Sequence, residues 1–196
     1  MRRLWWLGLL LGGFVAAVTR AQTVAPKPAP SPAEISRAAL VAYGDGCAAH
    51  VGHAVEMNTW AQQNHFVPAP PRVVALFAAR AASTAWIVPG PGVSLALVAQ
   101  QDGLLCHVYA QHADVDLARA LFVKLMEGVR RPGLLVEQKQ DAEVVRGDRR
   151  VRVVAYMVQR EQHQPGEAAR AFAITLNAAP DAAFAIIATA GAVKAQ

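Results

Sequence analysis

Apolar and polar positions alternate most regularly between Val93 and Ala110. Val93, Leu95, Leu97 and Ala99 share one side of an extended run, and Ser94, Ala96, Val98 and Gln100 take the other. That two-residue period belongs to a strand with one well-buried face. Gln101, Asp102 and Gly103 supply a turn, and the return run puts Leu104, Cys106, Val108 and Ala110 on one side. The pattern predicts a hairpin. Just before it, residues 85–88 favour a strand that Pro89, Gly90, Pro91 and Gly92 close, which places Trp86 on a short neighbouring strand.

Upstream the period changes. From Ala33 onward, Leu40, Cys47, Val51, Ala54, Asn58 and Ala61 recur at helical steps on one stripe, and Gly44 with Gly46 predicts a hitch near Asp45. Pro68, Pro70 and Pro71 end this helical stretch between residues 66 and 71. Pro71 then opens a second helix over 72–82, with Val73, Leu76, Phe77 and Arg80 at helical spacing. Downstream of the hairpin, Asp114 or Asp116 caps a third helix that runs to about residue 127 with Leu117, Ala120, Leu121 and Leu125 as its apolar face. Strands are predicted over 134–139, 149–159, 171–178 and 183–190, with a polar loop over 159–170. Helices, then strands, one more helix and more strands describe an α+β fold: an antiparallel sheet of about six to seven strands with helices packed on one face. A doubly wound parallel fold would need a regular alternation that is absent.

The start of the chain has a different character. Arg2 and Arg3 precede an apolar run over 4–18 and the small-residue site Thr19-Arg20-Ala21, which predicts a signal peptide over 1–21 with cleavage near Gln22. The run is shorter than a spanning helix requires, so no transmembrane helix is expected after cleavage. General secretion and the twin-arginine route both remain open. Residues 22–32, rich in Pro and Ala, predict a flexible linker, leaving 33–196 as a single domain. The formal charge of +5 falls to +2 once Arg2, Arg3 and Arg20 are removed, a balance that does not call for nucleic acid. Export also places the two cysteines, Cys47 and Cys106, in an oxidising compartment, so a disulfide joining the first helix to the hairpin is expected.

Candidate chemistry is sparse. His50, His53 and Glu56, spaced by threes, could offer imidazole and carboxylate to zinc or copper, but no fourth ligand is identifiable, so a solvated helix face is expected and no metal site. No cofactor is implied. Trp60, Phe66 and Trp86 could line a ligand groove, or could pack the core. Arg146, Arg149, Arg150 and Arg152 form a basic cluster suited to an anionic envelope component, interleaved with Asp141, Glu143 and Asp148 in the manner of a protected strand edge. Arg146-Gly147-Asp148 matches an integrin-recognised tripeptide that a glycine turn also explains. No nucleophile elbow, Ser-x-x-Lys pattern or phosphate-cradling glycine loop is present, and His107 should point away from its neighbour Cys106 across a strand.

Cys47, the Trp60 to Phe66 helix end, Ala85-Trp86 and Cys106-His107-Val108 together resemble a family of uncharacterised exported proteobacterial proteins, over roughly Gly46 to Tyr156. The resemblance implies export and a paired-cysteine domain and supplies no activity. The expected function is a non-catalytic periplasmic or secreted binding or accessory domain, whose partner could be another envelope protein. The alternative is a metal-dependent or hydrolytic enzyme built on the helix carrying His50, His53 and Glu56.

Overall fold

The central hairpin forms as its alternation dictates. β3 (Leu95–Gln100) and β4 (Leu105–Ala110) pair antiparallel, with Leu97 opposite Val108 and Ala99 opposite Cys106. These coordinates are a computed structural model that describes residues 29–77, 83–90, 94–100, 103–162 and 167–194. The expected signal peptide, the linker up to residue 28, turn residues Gln101 and Asp102, and positions 78–82 of the second helix lie outside the described residues.

The remaining elements, in chain order, are α1 (Pro32–Val41), a π-helical segment (Ala42–Ala48), α2 (Ala54–Gln63), β1 (Val67–Pro68), α3 (Pro71–Phe77), β2 (Ser83–Ile87), α4 (Val115–Val129), β5 (Leu134–Arg146), β6 (Arg149–Arg160), β7 (Ala168–Leu176) and β8 (Ile186–Lys194). The eight strands make one sheet in the order β1-β2-β3-β4-β8-β7-β6-β5, every neighbouring pair antiparallel. Two four-stranded meanders thus meet at a seam between β4 and β8. After the first meander α4 carries the chain to the far edge, and the second meander winds back until β8 lies beside β4.

The fold is α+β with one disulfide, as the sequence predicts, and the sheet has eight strands rather than six or seven. The additional strand is β1, a two-residue edge piece whose Pro68 is tolerated because an edge leaves one side unpaired. One face of the sheet carries α1, the π segment, α2 and α4 over a continuous core that includes Leu97, Val108, Ile174, Ile186 and Val154. The small α3 covers part of the opposite face, where Phe77 packs with Ala85, Ala96 and Val98. This second layer is why β3 is buried on both sides, not one.

Several boundaries and faces differ from the sequence reading for identifiable reasons. α1 begins within the expected linker, because Ser31 and Glu34 form a capping box around Pro32. α2 stops at Gln63, ahead of the prolines, because His65 takes a left-handed conformation and the Phe66 N–H donates back to the Ala61 carbonyl. In α3 Leu76 is 75% exposed, and Val73, Val74 and Phe77 face the sheet. Asp114 is the cap of α4, accepting from the Leu117 N–H, yet the buried stripe is Ala118, Phe122 and Met126, with Leu121 and Leu125 at its margin and Ala120 exposed. β5 runs on to Arg146, beyond the expected end at residue 139, because a bulge at Lys139 resets the alternation. β7 and β8 are both displaced by a few residues from their expected ranges. No helix of the described residues is long and apolar enough to cross a membrane.

Cys47 and Cys106 are joined, their Cα atoms 5.6 Å apart and both side chains fully buried. The bond ties the π segment to β4 and closes 59 residues of chain, for which loop entropy gives about 4 kcal/mol. A Cys47→Ala/Cys106→Ala double variant should therefore fold, since a chain of this size buries roughly 70% of its surface, but lose about 2–4 kcal/mol in urea unfolding. Two titratable thiols in the denatured, unreduced native protein would contradict the bridge.

Candidate functional site

The π segment is the irregular piece around which a site forms. Gly44 and Gly46 weaken regular helix here, and the Ala49 N–H reaches back five residues to the Gly44 carbonyl at 3.1 Å. The wider turn sends side chains in two directions. Tyr43 and Cys47 go into the core. The Tyr43 hydroxyl donates to the Thr189 carbonyl on β8 at 2.9 Å, its ring packs 5.7 Å from Phe122, and burial pushes the phenol pKa well above its ordinary value. Gly46 lies under the indole of Trp60, where a Cβ would come within 2.5 Å of the ring.

Gly44, Ala48 and Ala49, all small, instead border a cavity of about 660 Å³ between the π segment, α4 and the sheet. Leu125, Met126 and Val129 of α4 form the facing wall, and Val158, Phe172 and Ala192 form the floor. Arg131, Arg160, Arg170 and Glu167 stand at the mouth. Arg160 pairs with Glu167 at 3.2 Å, whereas Arg131 and Arg170 make no ion pair among the described residues. A void of this size with apolar walls and a few convergent polar groups has the anatomy of a small-molecule site.

The residues singled out in the sequence lie elsewhere. His50 sits in the bend after the π segment, His53 is the exposed residue preceding α2, and Glu56 is exposed on α2. The chain is not helical between His50 and His53, so the three-residue spacing does not continue along one helix, and no group of three or more His, Cys, Asp or Glu among the described residues is placed to hold a metal ion. Trp60 and Phe66 pack with ring centroids 5.7 Å apart. Trp86 is 3% exposed, and its indole N–H donates to Asn58 Oδ1 at 3.2 Å. These three aromatics fill the space between α2 and β2, and none lines the cavity.

The arginines of the β5–β6 hairpin divide. Arg152 donates to Asp141 at 2.7 Å and Arg119 of α4 pairs with the same carboxylate, while Arg149 meets Asp181 at 2.9 Å. The hydrogen bond from Arg119, with that from Arg152, holds the Asp141 carboxyl below its ordinary pKa. Arg146 and Arg150 are exposed and carry no ion pair among the described residues. Gly147 has φ +63° in the tight turn between the strands, the conformational reason for a glycine in that tripeptide. His107 points away from the disulfide, to the opposite face of the sheet, with Nδ1 3.0 Å from Thr189 Oγ1. Burial lowers its pKa, which favours the neutral ring.

The cavity itself was not found from sequence. Its lining comes from five separated stretches, and nothing in the sequence groups Arg131, Arg160 and Arg170. The one available signal was the Gly-x-Gly interruption at Gly44 and Gly46. Comparison with protein-family models, with curated proteins and with solved structures returned no match.

The two glycines of the π segment give opposite expectations. A Cβ at Gly44 would sit 3.6 Å from Leu125 Cδ1, ordinary contact, so Gly44→Ala should stabilise by about 0.5–1 kcal/mol through reduced backbone freedom. Gly46→Ala must displace the Trp60 ring and should cost about 1–3 kcal/mol. Denaturant unfolding of the two variants checks this; equal effects of the same sign would contradict the geometry described.

Proposed function

We propose that the chain is a non-catalytic binding domain working in the periplasm or after secretion, and that its ligand occupies the arginine-rimmed cavity. The observation that carries this reading is the cavity: apolar walls of small and aliphatic side chains, closed on the sheet side by Phe172 and Val158, with cationic groups gathered only at its mouth. The Cys47–Cys106 bond, of the kind that persists in oxidising compartments, and the basic-then-apolar start of the chain support the location. So does the resemblance to exported proteins. Apart from Glu167, which pairs with Arg160 at the mouth, the groups suited to acid–base chemistry stand away from the cavity: His107 and Thr189 Oγ1 meet on the opposite face of the sheet, and Asp141 lies between two arginines. The partner implied is an anionic component of the envelope.

The test is recovery of the full-length expressed chain from a bacterial periplasmic fraction, followed by native mass spectrometry. The expected result is a chain lacking its first 21 or so residues, carrying a small organic adduct that survives incubation unaltered and is absent from Ala48→Trp. Retention of Met1 in cytoplasmic material, or conversion of the adduct to a product, would overturn the reading.

A further inference from the structure

The distribution of polarity inside the cavity identifies a class of ligand. Its hydrogen-bonding side chains are Tyr43, Gln159 and the four charged residues at the mouth. The Tyr43 hydroxyl is already engaged by the Thr189 carbonyl, so it asks nothing of a ligand. The others belong to one corner of the sheet. Arg160 ends β6 opposite Leu134, Arg170 lies opposite Val158, and the Leu134 N–H donates to the carbonyl of Arg131. Two residues inward along each strand, on the same face, the side chains become Val158 and Phe172, both buried. Polarity therefore falls from guanidinium to hydrocarbon over about 7 Å, the advance of two strand residues. Among the described residues the mouth holds three arginines against one carboxylate, and Glu167 pairs with Arg160.

We infer that the cavity takes a single-chain amphiphile with an anionic head, a carboxylate or a phosphate monoester, its head held by Arg131 and Arg170 and its chain lying between the π segment and α4. This inference rests on the reading of the cavity as a ligand seat and adds the ligand's chemistry. Guanidinium forks match the two oxygens of a carboxylate or phosphate. The hydrocarbon gains from leaving water for a wall of Ala48, Leu125 and Met126 that offers it no unsatisfied polar group. A neutral head would leave two cations without a counter-charge at the mouth, and a bare anion would leave the apolar interior to water.

The experiment is calorimetric titration of the oxidised, periplasm-derived chain, delipidated beforehand, with four probes below their micelle concentrations: dodecanoate, dodecyl phosphate, glycerol monolaurate and inorganic phosphate. The expected result is one site per chain for both anionic amphiphiles. Glycerol monolaurate should bind at least about tenfold more weakly and inorganic phosphate more weakly still, one lost charge-assisted contact being worth about that factor. The tighter of the two anions identifies the head, fatty acid or phospholipid-derived. Arg170→Ala and Arg131→Ala, both at exposed positions, should each weaken dodecyl phosphate about tenfold, whereas Arg150→Ala, outside this cavity, should leave it unchanged. Equal binding of the neutral and anionic chains would overturn the anionic head while leaving the cavity a ligand seat. Phosphate binding as tightly as dodecyl phosphate would overturn the apolar body. An effect of Arg150→Ala equal to that of Arg170→Ala would move the ligand to the β5–β6 surface and overturn the site. Failure of all four probes would overturn the ligand class, and with an adduct-free native mass spectrum it would remove the cavity reading as well.

Discussion

Where two meanders of a single sheet meet, something must hold the seam, because β4 and β8 are the strand neighbours most distant in sequence. In this chain the seam lies under the π segment. Cys47 bonds covalently to β4, and Tyr43, four residues earlier, hydrogen-bonds to β8 through the Thr189 carbonyl. One short piece of helix therefore grips both strands of the junction. The Tyr43 ring packs against Phe122 of α4, and Phe122 in turn meets Tyr156 of β6, so the grip extends to the helix that carries the chain between the meanders.

The same segment leaves the cavity. A regular helix with large side chains at 44, 48 and 49 would fill the space against Leu125, whereas Gly44, Ala48 and Ala49 do not. The residues that hold the seam and those that border the cavity thus alternate between Tyr43 and Ala49, in keeping with the frequent association of π-helical turns with functional sites. On the proposed reading, stability and binding are coupled there. Filling the void favours the former at the expense of the latter, a familiar trade between a well-packed core and a usable site.

What could be read from the chain alone follows the strength of each local signal. The β3–β4 hairpin, the position of Trp86 and the Cys47–Cys106 bond were legible because a two-residue alternation and a pair of cysteines behind an expected export signal leave few alternatives. The apolar face of α4 was misplaced by about one residue because two neighbouring stripes, Leu117-Leu121-Leu125 and Ala118-Phe122-Met126, are both apolar, and only the packing of Phe122 against Tyr43 and Tyr156 decides between them. β1 escaped notice because two residues carry no period. The cavity escaped because it is a property of spacing between elements: Arg131, Arg160 and Arg170 become a set only when α4, β6 and β7 end at one corner of the sheet. Conversely, His50, His53 and Glu56 formed a candidate set only while one helix was taken to run through all three; the chain turns between His50 and His53, and α2 begins after His53.

The central physical claim is that the π segment and the β4–β8 seam form one cooperative unit. Native-state hydrogen exchange tests it directly, because local and global openings are resolved amide by amide. The account predicts that the hydrogen-bonded amides of Cys47 and Ala49 exchange through the same opening as those of Val108 and Ala188, with closely similar free energies, in the oxidised protein. Exchange of the π segment through a separate, much lower-energy opening while β4 and β8 remain protected would contradict it.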